Sequence, residues 1–298
     1  MTRALRVQGW AFCAAALGAA AGSALLPRLG VPNLGAGAEL IVAAALIVLL
    51  GVPHGGLDAI FALHLYRVRT VRRWAGFGVL YGLLAAGVVA VWLVAPALFL
   101  AGFLLVSAAH FSGDPGPGTR ALSRVAYGGA VVVLPALLHG PEVARLFSLL
   151  VGPPAAEAVM GWLAPLGLPW AAALAGLAAA EARRSPRTAL EMIAVGALAV
   201  CAPPLVGFTV YFCAMHSARH ILRTLDWAGR PGRWLVAASG ALPTLGAVAL
   251  AGAGWAWFSR APFEAGLVQA VFVGLAALTV PHMALVERVR LAGWRAPG

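Results

Sequence analysis

The stretch "WAGFGVLYGLLAAGVVAVWLV" (residues 74–94) decides the fold class, because it contains 21 residues without a single charge. About 20 consecutive apolar residues are enough for an α-helix to cross a lipid bilayer. Similar runs recur along the whole chain, which is 62% hydrophobic and 10% charged, whereas soluble domains carry about 25% charged residues. The sequence therefore predicts an all-α polytopic bundle of transmembrane helices that forms one domain over residues 1–298.

The apolar runs predict about ten membrane spans. Between the seventh and the eighth, "CAPPLVG" (residues 201–207) marks a break, because proline disrupts the interior of a helix. The N-terminal run is similar to a signal peptide, but we expect it to be retained as the first span, since its removal would leave an odd number. The predicted spans are 8–27, 38–62, 74–94, 97–112, 121–139, 159–180, 188–207, 208–225, 234–254 and 265–286.

The arginines predict the orientation of these spans. The chain has no lysine, and 18 of its 21 arginines fall on one side of the map when the N-terminus is placed in the cytoplasm. Only Arg28, Arg145 and Arg260 fall on the other side. An excess of positive charge is typical of cytoplasmic segments. We therefore expect both termini in the cytoplasm.

The same composition excludes several function classes. A net charge of +11 would suggest nucleic-acid binding in a soluble protein, but these arginines lie between apolar runs, so we expect no nucleic-acid partner. The lack of lysine excludes a Walker phosphate loop, and the chain has no G-x-S-x-G element. Its three cysteines, Cys13, Cys201 and Cys213, form no C-x-x-C pair. This argues against a disulfide framework or a zinc ribbon.

Five of the seven histidines fall at one depth of the predicted bundle, in the cytoplasmic halves of four spans. They are His54, His110, His216, His220 and His282. Ionisable side chains within a membrane are costly and usually face the bundle interior. Neutral imidazole is also the commonest protein ligand of metals, so this grouping predicts a metal site. His64 lies nearer the inner surface, and His139 ends the fifth span on the opposite side.

The stretch "MHSARHILRTL" (residues 215–225) contains the closest histidine pair. His216 and His220 stand four residues apart, so one face of a helix presents both imidazoles. Together with His54 and His110 they would form a four-imidazole site. An all-nitrogen ligand set suits zinc, copper, iron or nickel, and ligand chemistry alone does not choose iron over zinc. The alternative is that each histidine only forms hydrogen bonds between helices.

Two of the histidines are followed four residues later by an aspartate. "PHGGLD" pairs His54 with Asp58, and "AHFSGD" pairs His110 with Asp114. A metal-bound histidine usually donates its other ring N–H to a carboxylate or carbonyl, so we predict that both aspartates orient neighbouring histidines. The alternative is that they merely end the helices near the inner surface. Two interpretations are also open for Arg219: its side chain either pairs with a buried carboxylate or extends to the membrane interface.

Four motifs resemble the Brp/Blh family of bacterial and archaeal integral-membrane β-carotene 15,15'-dioxygenases. They are "GVPHGGLDAIF" (51–61), "SAAHFSGD" (107–114), "YFCAMHSARHILR" (211–223) and "TVPHMALVER" (279–288). Their order and approximate spacing match over nearly the whole chain. The second motif departs slightly, because "HFSGD" stands where many relatives read HFG followed by an acidic residue. Its histidine is kept.

The resemblance implies a non-haem Fe(II) enzyme of the cell (inner) membrane that uses O2 to split β-carotene centrally into two molecules of retinal. It also implies a functional link to a retinal-binding opsin. Carried over by motif, the iron ligands would be His54, His110, His216 and His220. His282 is the closest rival, but the resemblance gives it a supporting role behind the ligands or in the substrate tunnel. Tyr211 and Phe111 flank the motifs and are further candidates for that tunnel.

Two other function classes compete with this interpretation. Membrane di-iron desaturases and hydroxylases carry about eight histidines in close clusters, whereas this chain has seven, with one close pair and no H-H dipeptide. A metal transporter or an opsin-assembly factor is the non-enzymatic alternative. A transporter would carry ligands along its whole path, but the outer halves of the predicted helices are almost free of them.

Overall fold

In a computed structural model of the chain, the regular elements of the described residues are all helical, as the sequence predicts. The structure describes residues 2–30, 35–229, 232, 234–241, 244–246, 249, 262–291 and 294. The α-helices are α1 (Arg3–Leu25), α2 (Ala36–Leu46), α3 (Pro53–Gly56), α4 (Asp58–Tyr66), α5 (Val71–Val94), α6 (Pro96–Phe111), α7 (Ala121–Val133), α8 (Pro135–Val151), α9 (Pro153–Leu163), α10 (Gly167–Ala182), α11 (Pro186–Cys201), α12 (Pro204–Val210), α13 (Ala218–Trp227) and α14 (Phe263–Leu291). Two π-helical segments, Ile47–Gly51 and Tyr211–Ser217, lie between α2 and α3 and between α12 and α13.

Five helical stretches in the described part of the chain are long and apolar enough to cross a membrane. They are Arg3–Leu29, Gly37–Tyr66, Val71–Val94, Pro153–Ala182 and Phe263–Arg290. A sixth arises if α7 and α8, which meet at a 41° bend, count as one broken span. All six overlap with predicted spans, although α8 continues to Val151, past the predicted end of the fifth span at residue 139. The chain therefore has the helices of a polytopic membrane protein.

The predicted count of ten spans is not confirmed. α6 and α11, which coincide with the predicted fourth and seventh spans, have 16 residues each. At 1.5 Å per residue such a helix is about 24 Å long, which is less than the roughly 30 Å of a hydrocarbon core. The predicted eighth span, 208–225, is divided among α12, the second π segment and α13. Nine of the 21 residues of the predicted ninth span, 234–254, lie outside the described residues.

Proline begins many of these helices. It occupies the first position of six of them, as Pro53, Pro96, Pro135, Pro153, Pro186 and Pro204. Proline suits this position because its φ is already helical and the first N–H has no partner within the helix. The same residue type bends the predicted span 121–139 at Pro135 and confirms the predicted break at 201–207, where α11 ends and α12 begins.

The helices pack so that apolar side chains cover the outside of the bundle and polar side chains lie at its centre. α5 buries none of its residues and packs along α14 and α6 at the edge of the bundle. Leu80, Leu83 and Leu93 of α5 are exposed, as a bilayer environment allows. In the centre, the two π segments contact each other, and α14 contacts α3 and α6. These contacts bring the histidine-bearing segments together.

Candidate metal centre

Five buried histidines converge from five different elements in the centre of the bundle. His54 comes from α3, His110 from α6, His216 from the second π segment, His220 from α13 and His282 from α14. Each is only 2–7% exposed. The ring of His54 lies 5.0 Å, 5.4 Å and 5.2 Å from those of His216, His220 and His282, measured between ring centroids. The five residues that the sequence places at one membrane depth therefore form one cluster.

The tightest part of the cluster has the dimensions of a metal site. One ring nitrogen from each of His54, His110 and His216 lies within 4.8 Å of the other two. The rings of His110 and His216 approach to 4.5 Å. Neutral imidazoles bind iron, zinc, copper or nickel through such nitrogens. These three residues are among the four ligands that the sequence predicts.

The hydrogen bonds of the rings leave nitrogens free to bind a metal. The Nδ1 atom of His54 lies 2.6 Å from the Gly51 carbonyl oxygen, and the Nδ1 atoms of His216 and His282 face carboxylates. Since these partners only accept hydrogen bonds, each Nδ1 must be the donor, which leaves a lone pair on Nε2. The Nε2 atoms of His110, His216 and His282 are buried and have no hydrogen-bond partner among the described residues. Such atoms are costly unless a ligand uses them, so the cluster fits a metal ion.

Each aspartate that the sequence singles out holds a histidine of a distant segment. Asp114 accepts a hydrogen bond from His216 Nδ1 at 3.1 Å and one from the Tyr211 hydroxyl at 2.6 Å. Burial raises the pKa of the Asp114 carboxyl, but His216, Tyr211 and Arg223 more than offset this and hold that pKa below its usual range. The carboxylate is therefore ionised and is a strong acceptor. Carboxylates behind metal-binding histidines fix the orientation of the imidazole ring.

Asp58 repeats this arrangement on the other side of the cluster. Its carboxylate accepts a hydrogen bond from His282 Nδ1 at 2.7 Å and one from the Tyr81 hydroxyl at 3.0 Å. Each of the two aspartates thus accepts a hydrogen bond from a buried histidine, which is the contact expected of a residue that orients an imidazole ring. However, neither aspartate bonds to the histidine four residues before it. Asp58 bonds to His282 and Asp114 bonds to His216, so both hydrogen bonds join different helical segments.

Arg219 pairs with a buried carboxylate and does not reach the membrane interface. It is 1% exposed, and its guanidinium donates to the two carboxylate oxygens of Glu191 at 2.8 and 2.9 Å. It also donates to Gln8 at 2.8 Å and to the backbone carbonyl of Asp114 at 3.0 Å. Arg219 therefore supports the segment that carries the Asp114 carboxylate. Its charge is balanced inside the bundle by Glu191.

Sequence reasoning missed two residues that matter for this site. Glu191 is a lone carboxylate within the predicted seventh span, and this isolation in an apolar run is the signal that would have revealed it. Tyr81 lies in the middle of an uncharged span, where a tyrosine is unremarkable in the sequence. Only the contact with Asp58 reveals its role.

The remaining histidines differ from the three-residue group. The Nε2 atom of His220 lies 3.3 Å from the Thr224 hydroxyl, although its ring also contacts the rings of His54 and His282. The Nδ1 atom of His64 hydrogen-bonds to the Ile60 carbonyl oxygen, and the His64 ring packs against Trp227. His139 lies at a kink within α8. It makes no ring contact with the five histidines in the described structure.

The π-helical segment explains how two side chains reach Asp114 together. Tyr211 and His216 are five residues apart, and both bond to the same carboxylate. In an α-helix, with 3.6 residues per turn, positions i and i+5 point in different directions. A π-helix closes its turn with i→i+5 hydrogen bonds and places such residues above one another. Single π turns are frequent at functional sites.

The histidine cluster opens on apolar space. One cavity is lined by His54, His110, His216 and His282 together with Phe103, Phe111, Phe208, Phe212 and aliphatic side chains. A second, more apolar cavity shares Phe103, Ser107, Phe111 and Phe208 with the first and extends between α6, α7, α8 and α14. Phe111 thus lines both cavities. Tyr211 lines neither, because its hydroxyl faces Asp114.

The fold and the site define a class of protein, a polytopic α-helical membrane protein whose buried histidine cluster opens on apolar cavities. Comparison with protein families narrows this class. The sequence profile of the family described as β-carotene 15,15'-dioxygenase matches residues 45–289. The chain therefore belongs to the β-carotene 15,15'-dioxygenase family, in agreement with the resemblance seen in its motifs.

Individual relatives agree with this assignment. The β-carotene 15,15'-dioxygenase of the uncultured marine bacterium 66A03 is 35% identical over 254 residues, which cover 82% of this chain and 92% of the relative. The probable β-carotene 15,15'-dioxygenase Blh of Halobacterium salinarum is 30% identical over 306 residues, which cover 88% of each chain. No solved structure matches the chain significantly.

Proposed function

We propose that this protein cleaves β-carotene at its central 15,15' double bond with O2 and releases two molecules of retinal. Membership of the β-carotene 15,15'-dioxygenase family supports this activity. The observation that carries the chemistry is a cluster of buried histidines with free ring nitrogens at the end of an apolar cavity. A buried site of this kind suits an apolar polyene that dissolves in the bilayer.

The metal of this site is proposed to be Fe(II), held by His54, His110, His216 and His220. When bound, Fe(II) supplies the activation of O2 that a hydrocarbon substrate requires. The first three residues meet at a common point, and His220 contacts the ring of His54. Four neutral imidazoles leave the ion its full positive charge, and five buried histidines are too few for two such sites.

The chain's own side chains position the substrate and exclude water. Phe103, Phe111, Phe208 and Phe212 line the cavity beside the histidines, so an extended polyene in this cavity would lie between aromatic rings. Because the adjoining cavity is also apolar, a long molecule can continue past the cluster. Holding one double bond beside the metal in a fixed pose supplies much of the rate advantage of such an enzyme.

The location and partners follow from the same proposal. Ten spans with both termini in the cytoplasm remain our proposal for the topology, within the inner membrane of a bacterium or archaeon. The whole chain, residues 1–298, would act as one catalytic domain. β-Carotene would enter from the lipid bilayer, O2 is the second substrate, and a retinal-binding opsin is the proposed recipient of the product.

Expression in a bacterium that accumulates β-carotene tests the activity directly. We expect retinal in the extract of cells with the wild-type chain, and none with His54→Ala, His110→Ala or His216→Ala. The matched control is His139→Ala, which removes a histidine outside the cluster and should retain activity. Unchanged β-carotene in wild-type cells, with the protein present in the membrane, would contradict the proposed activity and favour a transporter or assembly factor.

Metal analysis of the purified protein tests the cofactor separately. We expect one iron per chain in active protein, and loss of both iron and activity after treatment with a strong chelator. Re-addition of Fe(II) should restore activity. The reason is that the packing of five separate elements holds the histidines in place, so the site should persist when the metal is removed. Stoichiometric zinc without iron in an active preparation would show that the proposed metal is wrong.

A further inference from the structure

We propose that His282 is a ligand of the metal ion, and that Asp58 and Tyr81 are the residues that position its ring. This inference rests on the proposed iron site and adds a ligand to it. Family resemblance gives His282 only a supporting role. The structure gives it the surroundings of a ligand, as a comparison with His216 makes clear.

The two histidines are held in the same way by two separate sets of residues. His216 donates through Nδ1 to Asp114, whose carboxylate accepts the Tyr211 hydroxyl. His282 donates through Nδ1 to Asp58 at 2.7 Å, whose carboxylate accepts the Tyr81 hydroxyl at 3.0 Å. The order tyrosine, aspartate, histidine is therefore repeated. Carboxylate–histidine pairs of this kind support metal ligands in many proteins, since they fix the ring and increase its basicity.

The outward nitrogens of the two histidines share two further features, although only His216 belongs to the three-nitrogen group with His54 and His110. Nε2 of His216 and Nε2 of His282 are both buried and lack a hydrogen-bond partner in the described structure. Both rings line the cavity that contains His54 and His110. His282 lies 5.2 Å from the ring of His54 and 5.2 Å from that of His110. If His282 bonded only to Asp58, its Nε2 atom would stay buried without any partner, which is energetically costly. A metal ion would bind this nitrogen and remove that cost.

His220 provides the contrast. It does not line this cavity, and its Nε2 lies 3.3 Å from the Thr224 hydroxyl. His282 therefore has better access to the cavity that receives the substrate than one of the four ligands implied by the motifs. A set of donors that includes His282 surrounds the inner end of this cavity from α3, α6, the second π segment and α14.

Replacement of His282 tests the proposal through metal binding as well as activity. In His282→Gln, the expected result is that iron binds at least about 10-fold more weakly, and that X-ray absorption of the iron-loaded protein counts one imidazole fewer than in the wild type. His64→Gln is the matched control, because the ring of His64 packs against Trp227 and does not contact the five clustered histidine rings in the described structure. It should keep the wild-type affinity and imidazole count.

A milder substitution keeps the test decisive if His282→Gln does not fold. Tyr81→Phe removes only the hydroxyl that bonds to Asp58, and we expect it to weaken iron binding several-fold. Tyr66→Phe is its control, since Tyr66 is exposed and contacts Arg288 through the ring that phenylalanine preserves. Equal iron affinity in Tyr81→Phe and Tyr66→Phe, or an unchanged imidazole count in folded His282→Gln, would overturn the proposal.

The outcomes also separate this inference from the proposed function. A wild-type protein that binds no iron would remove the basis of both. A wild-type protein that binds iron and makes retinal, with His282 variants that retain the full imidazole count, would overturn only the role of His282. In that case the Asp58–His282 hydrogen bond would merely join α4 to α14.

Discussion

At the scale of single residues, Asp114 connects the histidine cluster to the polar core. Its carboxylate bonds to His216 and Tyr211, and its backbone carbonyl accepts hydrogen bonds from Arg219 and Arg223. Arg219 is in turn neutralised by Glu191. The position of His216, one of the proposed ligands, thus depends on a chain of buried charges. Breaking a buried charge network is costly because the remaining charge has no water to solvate it.

Replacing Asp114 by asparagine tests this dependence. The amide oxygen of the new side chain would still accept the His216 N–H, but the negative charge behind the ring would be lost. We expect Asp114→Asn to weaken iron binding by roughly 10- to 100-fold, the usual effect of losing such a carboxylate, as measured by competition with a chelator. Asp226→Asn is the control, since Asp226 bonds to Thr2 at the exposed end of the chain. Equal iron affinity in the two variants would show that Asp114 does not support metal binding and serves only to end the helical segment before it.

At the scale of secondary-structure elements, the close contact of α6 with α7 places His110. A Cβ atom at Gly128 of α7 would overlap the Ala108 carbonyl oxygen and lie 2.5 Å from the Ser112 backbone nitrogen. Neither atom can move without shifting the end of α6. Glycine at this position therefore lets the helices approach closely, as small residues do in membrane proteins. The segment that carries His110 and leads to Asp114 rests on this contact.

Gly128→Ala is expected to destabilise the protein, against the usual effect of alanine in a helix. Overpacking of a tight contact typically costs about 1–3 kcal/mol, so the Tm in detergent should fall and iron should be retained less well. Gly102→Ala is the matched control on α6, because a Cβ there meets no atom within 4 Å. Alanine should be neutral or stabilising at that site, by up to about 1 kcal/mol. A Tm for Gly128→Ala equal to that of Gly102→Ala would contradict the close-contact argument.

At the scale of the whole molecule, charge and helix length give different information about topology. The described helices provide five clear spans and one bent span, while the arginines favour a map of ten. The two counts differ by four predicted spans, and two of these four are formed by the short helices α6 and α11. Each can reach across a thinned or locally deformed bilayer at modest cost, or can lie within the bundle without crossing.

Reporter fusions test the ten-span topology. We expect green fluorescent protein fused at the C-terminus to fluoresce, and alkaline phosphatase to be active when fused after Gly152 and inactive when fused after Arg184. The physical reason is the clustering of arginine in segments that we place in the cytoplasm. Phosphatase activity after Arg184, or a dark C-terminal fusion in a protein that is present in the membrane, would show that the map is wrong.

The sequence alone determined the class of the fold and the members of the histidine cluster. Apolar runs of membrane length require helices, because helical hydrogen bonds are the only way for a lone segment to satisfy its backbone in lipid. Histidines are so costly within such helices that those at one depth were predicted to meet. The aspartates were identified because each follows a histidine, His54 or His110, by four residues. These arguments use only local spacing and the cost of burying polar groups.

Only the tertiary structure decided which of these groups are partners. Spacing along one helix favoured Asp58 beside His54, but contacts between helices placed His282 on Asp58 and His216 on Asp114. The π-helical turn that brings Tyr211 onto the same carboxylate as His216 has no sequence signal that we could use. Tyr81 and Glu191 likewise gain their roles from segments far away in the chain. Hydrogen bonds between helices depend on how the helices rotate and pack, and local sequence patterns do not contain that information.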